Sequence, residues 1–227
     1  MKKIVFYVTL SLLVVAGFIL GGCSNNSPTG SGSEAVAKIE TIADLVQKVQ
    51  DTATHMQGIS LDYVMTESDK TISSGKILGQ PSNKMMRIET TINEVLDVII
   101  INETEKSVII YQPDKKTGKK VDISTYSQLA SLSYEEYVNS IDPKATDLGN
   151  EDVNGVTCRV IQYTSSDKST ITMWISETLN FPARIKTVTV DGITRQSDYT
   201  NIVIGTLPVD TFSVPAGISI HDQTTAN

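Results

Sequence analysis

Residues 98–111 read VIIINETEKSVIIY, and the fold is decided there. Two aliphatic runs, Ile99-Ile100-Ile101 and Val108-Ile109-Ile110, flank the polar stretch Glu103-Thr104-Glu105-Lys106. β-Branched residues favour strands, and so short a polar connection predicts an antiparallel hairpin. Successive side chains of a strand point to opposite faces, so a hairpin with one wet face would alternate apolar with polar residues. Here both alternations are apolar, which predicts that something packs on each face.

Outward from this hairpin a period of two recurs. Ile59, Leu61, Tyr63 and Met65 alternate with Ser60, Asp62 and Thr66, the pattern of an antiparallel strand with one greasy face. Further strands are expected over 71–78, 84–91, 95–102 and 107–112. Asn154-Gly155 is a strong hairpin signal before a strand at 156–163, and Asp191-Gly192 is another between 185–190 and 193–199. Residues 170–176 and 201–205 complete the strand set. Residues 34–56 change the period: Val36, Ile39, Ile42, Leu45, Val46, Val49, Ala53 and Met56 fall three and four apart, which predicts an amphipathic helix about 34 Å long. A second helical stripe runs through Tyr126, Leu129, Ala130, Tyr134, Tyr137, Val138 and Ile141 and ends at Asp142-Pro143. The order helix, strands, helix, strands predicts an α+β fold, mainly antiparallel β. It is one large, strongly curved sheet with the helices on one face.

The N-terminus carries a different message. Lys2 and Lys3 precede an apolar run from Ile4 to Leu20, and Gly21-Gly22 stand directly before Cys23, the three-part layout of a secretory signal. Leu20 and Gly22 occupy the places that resemble a lipoprotein signal. That resemblance implies cleavage after Gly22 and a diacylglyceryl group on Cys23, two acyl chains being a stable anchor at about 0.8 kcal/mol per buried methylene. Residues 24–33, SNNSPTGSGS, hold nothing to bury and predict a flexible tether with a reach of roughly 17 Å. The expected organisation is a signal over 1–22, lipidated Cys23 and tether over 23–33, one domain over 34–222 and a tail over 223–227.

Composition narrows the function. Loss of residues 1–22 removes Lys2 and Lys3 and no acid, taking the formal charge from -7 to -9. An acidic surface repels phosphates, which argues against nucleic acid as a partner. With Cys23 lipidated, Cys158 is the sole remaining thiol, so no intramolecular disulfide forms, and its place between Val156 and Val160 predicts a buried, inert side chain. His55 and His221 are the only histidines and stand far apart, so neither a metal site nor a cofactor is expected. No phosphate-binding loop, nucleophile elbow or zinc-protease motif occurs, and Glu135-Glu136 and Glu151-Asp152 read as solvated surface. An enzyme is the class least supported. The run 114–120, with Lys115, Lys116, Lys119 and Lys120, reads as a solvated hairpin tip that could also touch an anionic membrane.

Several stretches, taken in order, resemble the LolA/LolB-like lipoprotein-carrier superfamily. They are Leu78-Gly79-Gln80-Pro81 before a strand; Ile99-Ile100-Ile101 with Ile109-Ile110-Tyr111-Gln112-Pro113; Asp152-Val153-Asn154-Gly155; Thr172-Met173-Trp174-Ile175 followed by Phe181-Pro182; and Phe212-Ser213-Val214-Pro215-Ala216-Gly217. The resemblance implies an unclosed antiparallel barrel whose concave apolar face is capped by helices. It departs at Gln80, where the soluble carrier has an arginine facing its cavity, and that role is not transferred to Arg87. A tethered acyl-chain binder is therefore expected rather than a shuttle between membranes.

The expectation is a monomeric, non-enzymatic lipoprotein on the extracytoplasmic face of the cell membrane, or on the outer membrane of a two-membrane host. It would hold an acyl chain, a lipid or a lipoprotein against Leu61, Tyr63, Met65, Met86, Ile88, Ile100, Ile109, Tyr111 and Trp174. The competing expectation is an envelope interaction or sensor module of the same fold, with a closed core and no lipid.

Overall fold

A computed structural model describes residues 40–92, 94–126 and 141–224. Its one described α-helix, α1 (Ile42–His55), begins where the sequence caps it. The Thr41 side chain accepts from the Asp44 amide at 3.1 Å, and the Asp44 carboxylate accepts from the Thr41 amide at 3.1 Å. This capping box satisfies donors that would otherwise be orphaned at the first turn. The helix is therefore shorter than the apolar spacing predicts: Glu40 and Thr41 are not helical, and 34–39 lie outside the described residues. Fourteen residues make it about 21 Å long. Leu45, Val46, Val49 and Ala53 form its buried stripe.

Among the described residues twelve strands follow: β1 (Ile59–Glu67), β2 (Lys70–Gln80), β3 (Met85–Ile92), β4 (Val95–Asn102), β5 (Ser107–Gln112), β6 (Thr117–Asp122), β7 (Thr146–Val153), β8 (Val156–Thr164), β9 (Thr170–Ser176), β10 (Phe181–Val188), β11 (Thr194–Ile204) and β12 (Ser219–Asp222). They form one sheet in the order β12-β6-β5-β4-β3-β2-β1-β11-β10-β9-β8-β7. Every pairing is antiparallel except β12 with β6. The two end strands do not pair with each other, so the sheet is an unclosed, curved half-barrel, as expected. The turn at Asn154-Gly155 has φ of 53° and 78°, the left-handed pair that a tight hairpin needs.

The charged run forms the tip of the β5–β6 hairpin over Pro113–Lys115 and the left-handed Lys116, as the sequence predicts, while Lys119 and Lys120 belong to β6. Of β6, Val121 alone is buried. Sheet pairing with β5 and β12, not composition, makes TGKKVD a strand. Of the second predicted helical stripe, Tyr126 closes a 3-10 turn, Ile141 is buried near α1, and 127–140 lie outside the described residues.

The two faces are packed differently. On the inner face, α1 lays Leu45, Val46, Val49 and Ala53 over Ile161 and Tyr163 of β8 and Met173 and Ile175 of β9. On the outer face, the C-terminal segment brings Phe212, Val214, Ile218 and Ile220 over Val98, Ile100 and Tyr111. Residues of opposite parity on the same strands, Ile101 and Val108, join the inner-face cluster. The β4–β5 hairpin thus carries an apolar cluster on each face, fully buried at Ile101 and Val108 and half-buried at Ile99 and Ile110 on the inner side, which is why both of its alternations are apolar.

Cys158 is fully buried with Val153 and Ala183. Burial pushes its thiol up to about 11. At pH 8.5 the folded protein is expected to resist iodoacetamide for hours, while the urea-unfolded chain alkylates within minutes. Mass spectrometry of both samples checks this, and comparable rates would show that Cys158 is reachable.

Candidate functional site

The helical residues of α1 pack over β8, β9 and β10, and the inner face of β1 to β5 forms a separate apolar surface. Strand register builds it in rows. Leu61 of β1 lies beside Ile77 of β2, which lies beside Ile88 of β3, Ile99 of β4 and Ile110 of β5. A parallel row runs from Ile59 past Gly79 to Met86, Ile101 and Val108. Some of these side chains are core: Ile59, Leu61, Ile101 and Val108 are buried. Others are half-buried: Met65, Ile77, Met86, Ile99 and Ile110 pack against the cluster while keeping part of their surface accessible. Among the described residues this face, hereafter the trough, is a partly exposed apolar surface. A surface of this kind binds by non-directional burial at about 25 cal/mol per Å².

A third, more polar row crosses this face, with Met65 beyond it on β1. Tyr199 of β11 pairs with Tyr63, Tyr63 with Gly75, Gly75 with Thr90 and Thr90 with Asp97. The Tyr63 hydroxyl lies 2.9 Å from Ser73 Oγ, and Ser73 Oγ lies 3.0 Å from Thr90 Oγ1. Asp97 accepts from the Gln112 amide at 2.7 Å. Burial raises the Tyr199 phenol above its usual range, so it stays a neutral hydroxyl.

The structure brings Leu61, Tyr63, Met65, Met86 and Ile88 together in this cluster. It does not bring the other four expected residues there. Ile100, Ile109 and Tyr111 lie on the outer face beneath the C-terminal segment, because Ile100 pairs with Arg87, not with Met86 or Ile88. Trp174 also lies outside, between the inner-facing Met173 and Ile175; its indole donates to Glu151 at 2.7 Å, and Arg184 lies 5.5 Å from its ring centroid. The sequence-based reading missed Ile77, Ile99 and Ile110, which strand pairing places in one row with Ile88. Arg87 faces outward as well, donating to Glu89 at 2.7 Å and to the Thr211 carbonyl at 3.3 Å. It ties the C-terminal segment to β3, across a groove of about 370 Å³ between Leu78 and Pro215. Among the described residues, no group of three or more His, Cys, Asp or Glu is arranged to hold a metal ion.

Solved structures share this architecture at low sequence identity. The lipoprotein LppX of Mycobacterium tuberculosis aligns with a TM-score of 0.52 and 12% identity, covering 74% of this chain and 98% of its own. LprF of Mycobacterium bovis aligns with a TM-score of 0.51 and 12% identity, over 74% and 95%. The Pseudomonas aeruginosa MucA/MucB complex aligns with a TM-score of 0.50 and 12% identity, over 78% of this chain and 62% of that one. These likenesses establish the fold, the LolA/LolB-like half-barrel that the sequence resembles. No curated protein matches the sequence. A family described as a domain of unknown function, DUF4412, matches residues 64–183, just over half of the chain, and the protein belongs to that family.

Proposed function

We propose that this protein is a non-enzymatic, extracytoplasmic lipoprotein, anchored through Cys23, that holds an acyl chain in the trough on the inner face of β1 to β5. The observation that carries the reading is the set of half-buried apolar side chains Ile77, Met86, Ile99 and Ile110, in adjacent rows across the strands, with Met65 on the same face, where a sealed core would hide them. Lipid supplies the missing burial with no need for directional contacts. The N-terminal sequence supports the location, with Leu20 and Gly22 set before Cys23 as in lipoprotein signals. Two of the similar folds, LppX and LprF, belong to mycobacteria, and LppX is a lipoprotein.

A second reading, a module that binds a protein segment, draws on the likeness to MucB, which has been seen in complex with MucA. Native mass spectrometry on residues 24–227, purified gently from a bacterial host, separates the two. An extra mass that extracts into organic solvent and matches a lipid supports the acyl-chain reading. An apo mass that also fails to take up a fluorescent acyl chain overturns it in favour of a protein partner.

A further inference from the structure

The trough is not uniform along its strands. Its aliphatic rows are crossed by the row Tyr199, Tyr63, Gly75, Thr90 and Asp97, whose polar side chains are three hydroxyls and one carboxylate, with Met65 and the Ile92–Val95 pair on its far side. Tyr63, Ser73 and Thr90 link three adjacent strands through hydroxyl contacts of 2.9 and 3.0 Å. Gln112 engages one oxygen of Asp97, and a carboxylate has two. No Lys, Arg or His stands in this row. Of the strand cations that the register places on the inner face, Lys119 lies opposite Ile110 on β6, Arg195 is paired with Glu67 at 2.8 Å, Lys70 lies opposite that same Glu67, and Arg159 of β8 is paired with Asp147.

We propose that this polar row seats the head of a ligand lying in the trough and selects an amphiphile with an uncharged, hydroxyl-bearing head, of the monoacylglycerol kind, over a fatty-acid carboxylate or a lysophosphate. The inference rests on the acyl-chain reading above. A hydroxyl both donates and accepts, so a head hydroxyl can extend the chain at its Tyr63 end, whereas the Thr90 hydroxyl also donates to the Ser74 carbonyl at 3.4 Å. A head hydroxyl can also donate to Asp97, and bonds to a charged acceptor are the stronger kind. An anionic head would instead set a like charge beside Asp97 in a half-buried place, with no cation in the row to offset it.

The test uses the full chain in phosphatidylcholine vesicles, with diazirine-tailed monoacylglycerol, fatty acid and lysophosphatidic acid of one chain length at equal membrane density. Adducts are located by peptide mass. Labelling within residues 59–112 is expected to be at least about tenfold greater for the monoacylglycerol, the ratio that about 1.4 kcal/mol of discrimination produces. In Asp97→Asn, which keeps an acceptor for Gln112, the advantage over fatty acid should shrink severalfold with the melting temperature little changed. Equal labelling of the trough by all three probes, or a preference for an anionic one, overturns the head selection and leaves the acyl-chain reading standing. Absence of labelling in these peptides by any probe overturns both.

Discussion

Replacing Gly75 with alanine is expected to lower stability by about 3 kcal/mol, enough to drop the melting temperature of a domain this size by roughly 10 °C. Gly75 sits in the middle of β2, between Tyr63 on β1 and Thr90 on β3. A Cβ built there would lie 1.8 Å from the Glu89 carbonyl oxygen and 2.8 Å from its carbon, both backbone atoms of the neighbouring strand. Backbone cannot swing aside as a side chain can, so β2 and β3 would have to separate at the centre of the sheet. Restricting the unfolded chain returns less than about 1 kcal/mol, so the clash wins. Two other glycines calibrate the result. At Gly79 the added Cβ meets only Ile59 Cγ2 at 3.2 Å, and at Gly205 it meets nothing within 4 Å. Urea unfolding of the three variants should therefore rank Gly75→Ala far below Gly79→Ala, with Gly205→Ala close to the parent. A Gly75→Ala midpoint equal to that of Gly205→Ala would mean that β2 and β3 do not approach as described.

Much of this architecture is legible in the sequence because the hydrophobic pattern is strong where strands are buried. Residues 98–111 predict apolar packing on both faces, and they take part in the outer cluster under the C-terminal segment and in the inner-face cluster. The same property hid part of the trough. Alternation says which residues of one strand share a face, but where both alternations are apolar it does not say which face is inner. Ile99 and Ile100 are chemically alike, and only the pairing of Ile88 with Ile99 and of Arg87 with Ile100 assigns them. Trp174 posed the same ambiguity between Met173 and Ile175. Strand β7 stayed illegible for another reason: it is an end strand, mostly exposed, with a bulge between Asp147 and Gly149. Acidic side chains and a bulge protect a free sheet edge, and they also erase the apolar period by which strands are recognised.

The sharpest test of the trough pairs two substitutions of the same chemistry on opposite faces. Ile77 is half-buried in the middle of the aliphatic row, whereas Val64, on the adjacent strand, is exposed on the outer face at 41% relative accessibility. Ile77→Glu should cost the fold only about 1–2 kcal/mol, because its carboxylate can reach water across the open trough while some apolar burial is lost. An acyl chain lying over the same position would strip that water away, and an unpaired charge buried this way costs several kcal/mol. At 1.4 kcal/mol per tenfold, uptake of a fluorescent monoacylglycerol should weaken by about a hundredfold or more. Val64→Glu adds the same charge with no apolar surface laid over it, so its uptake should match the parent. Circular dichroism and melting of both variants establish that each remains folded. Folded Ile77→Glu protein with parental uptake would place the lipid somewhere other than the inner face of β1 to β5, and equal loss in both variants would mean that net charge, not the trough, governs binding.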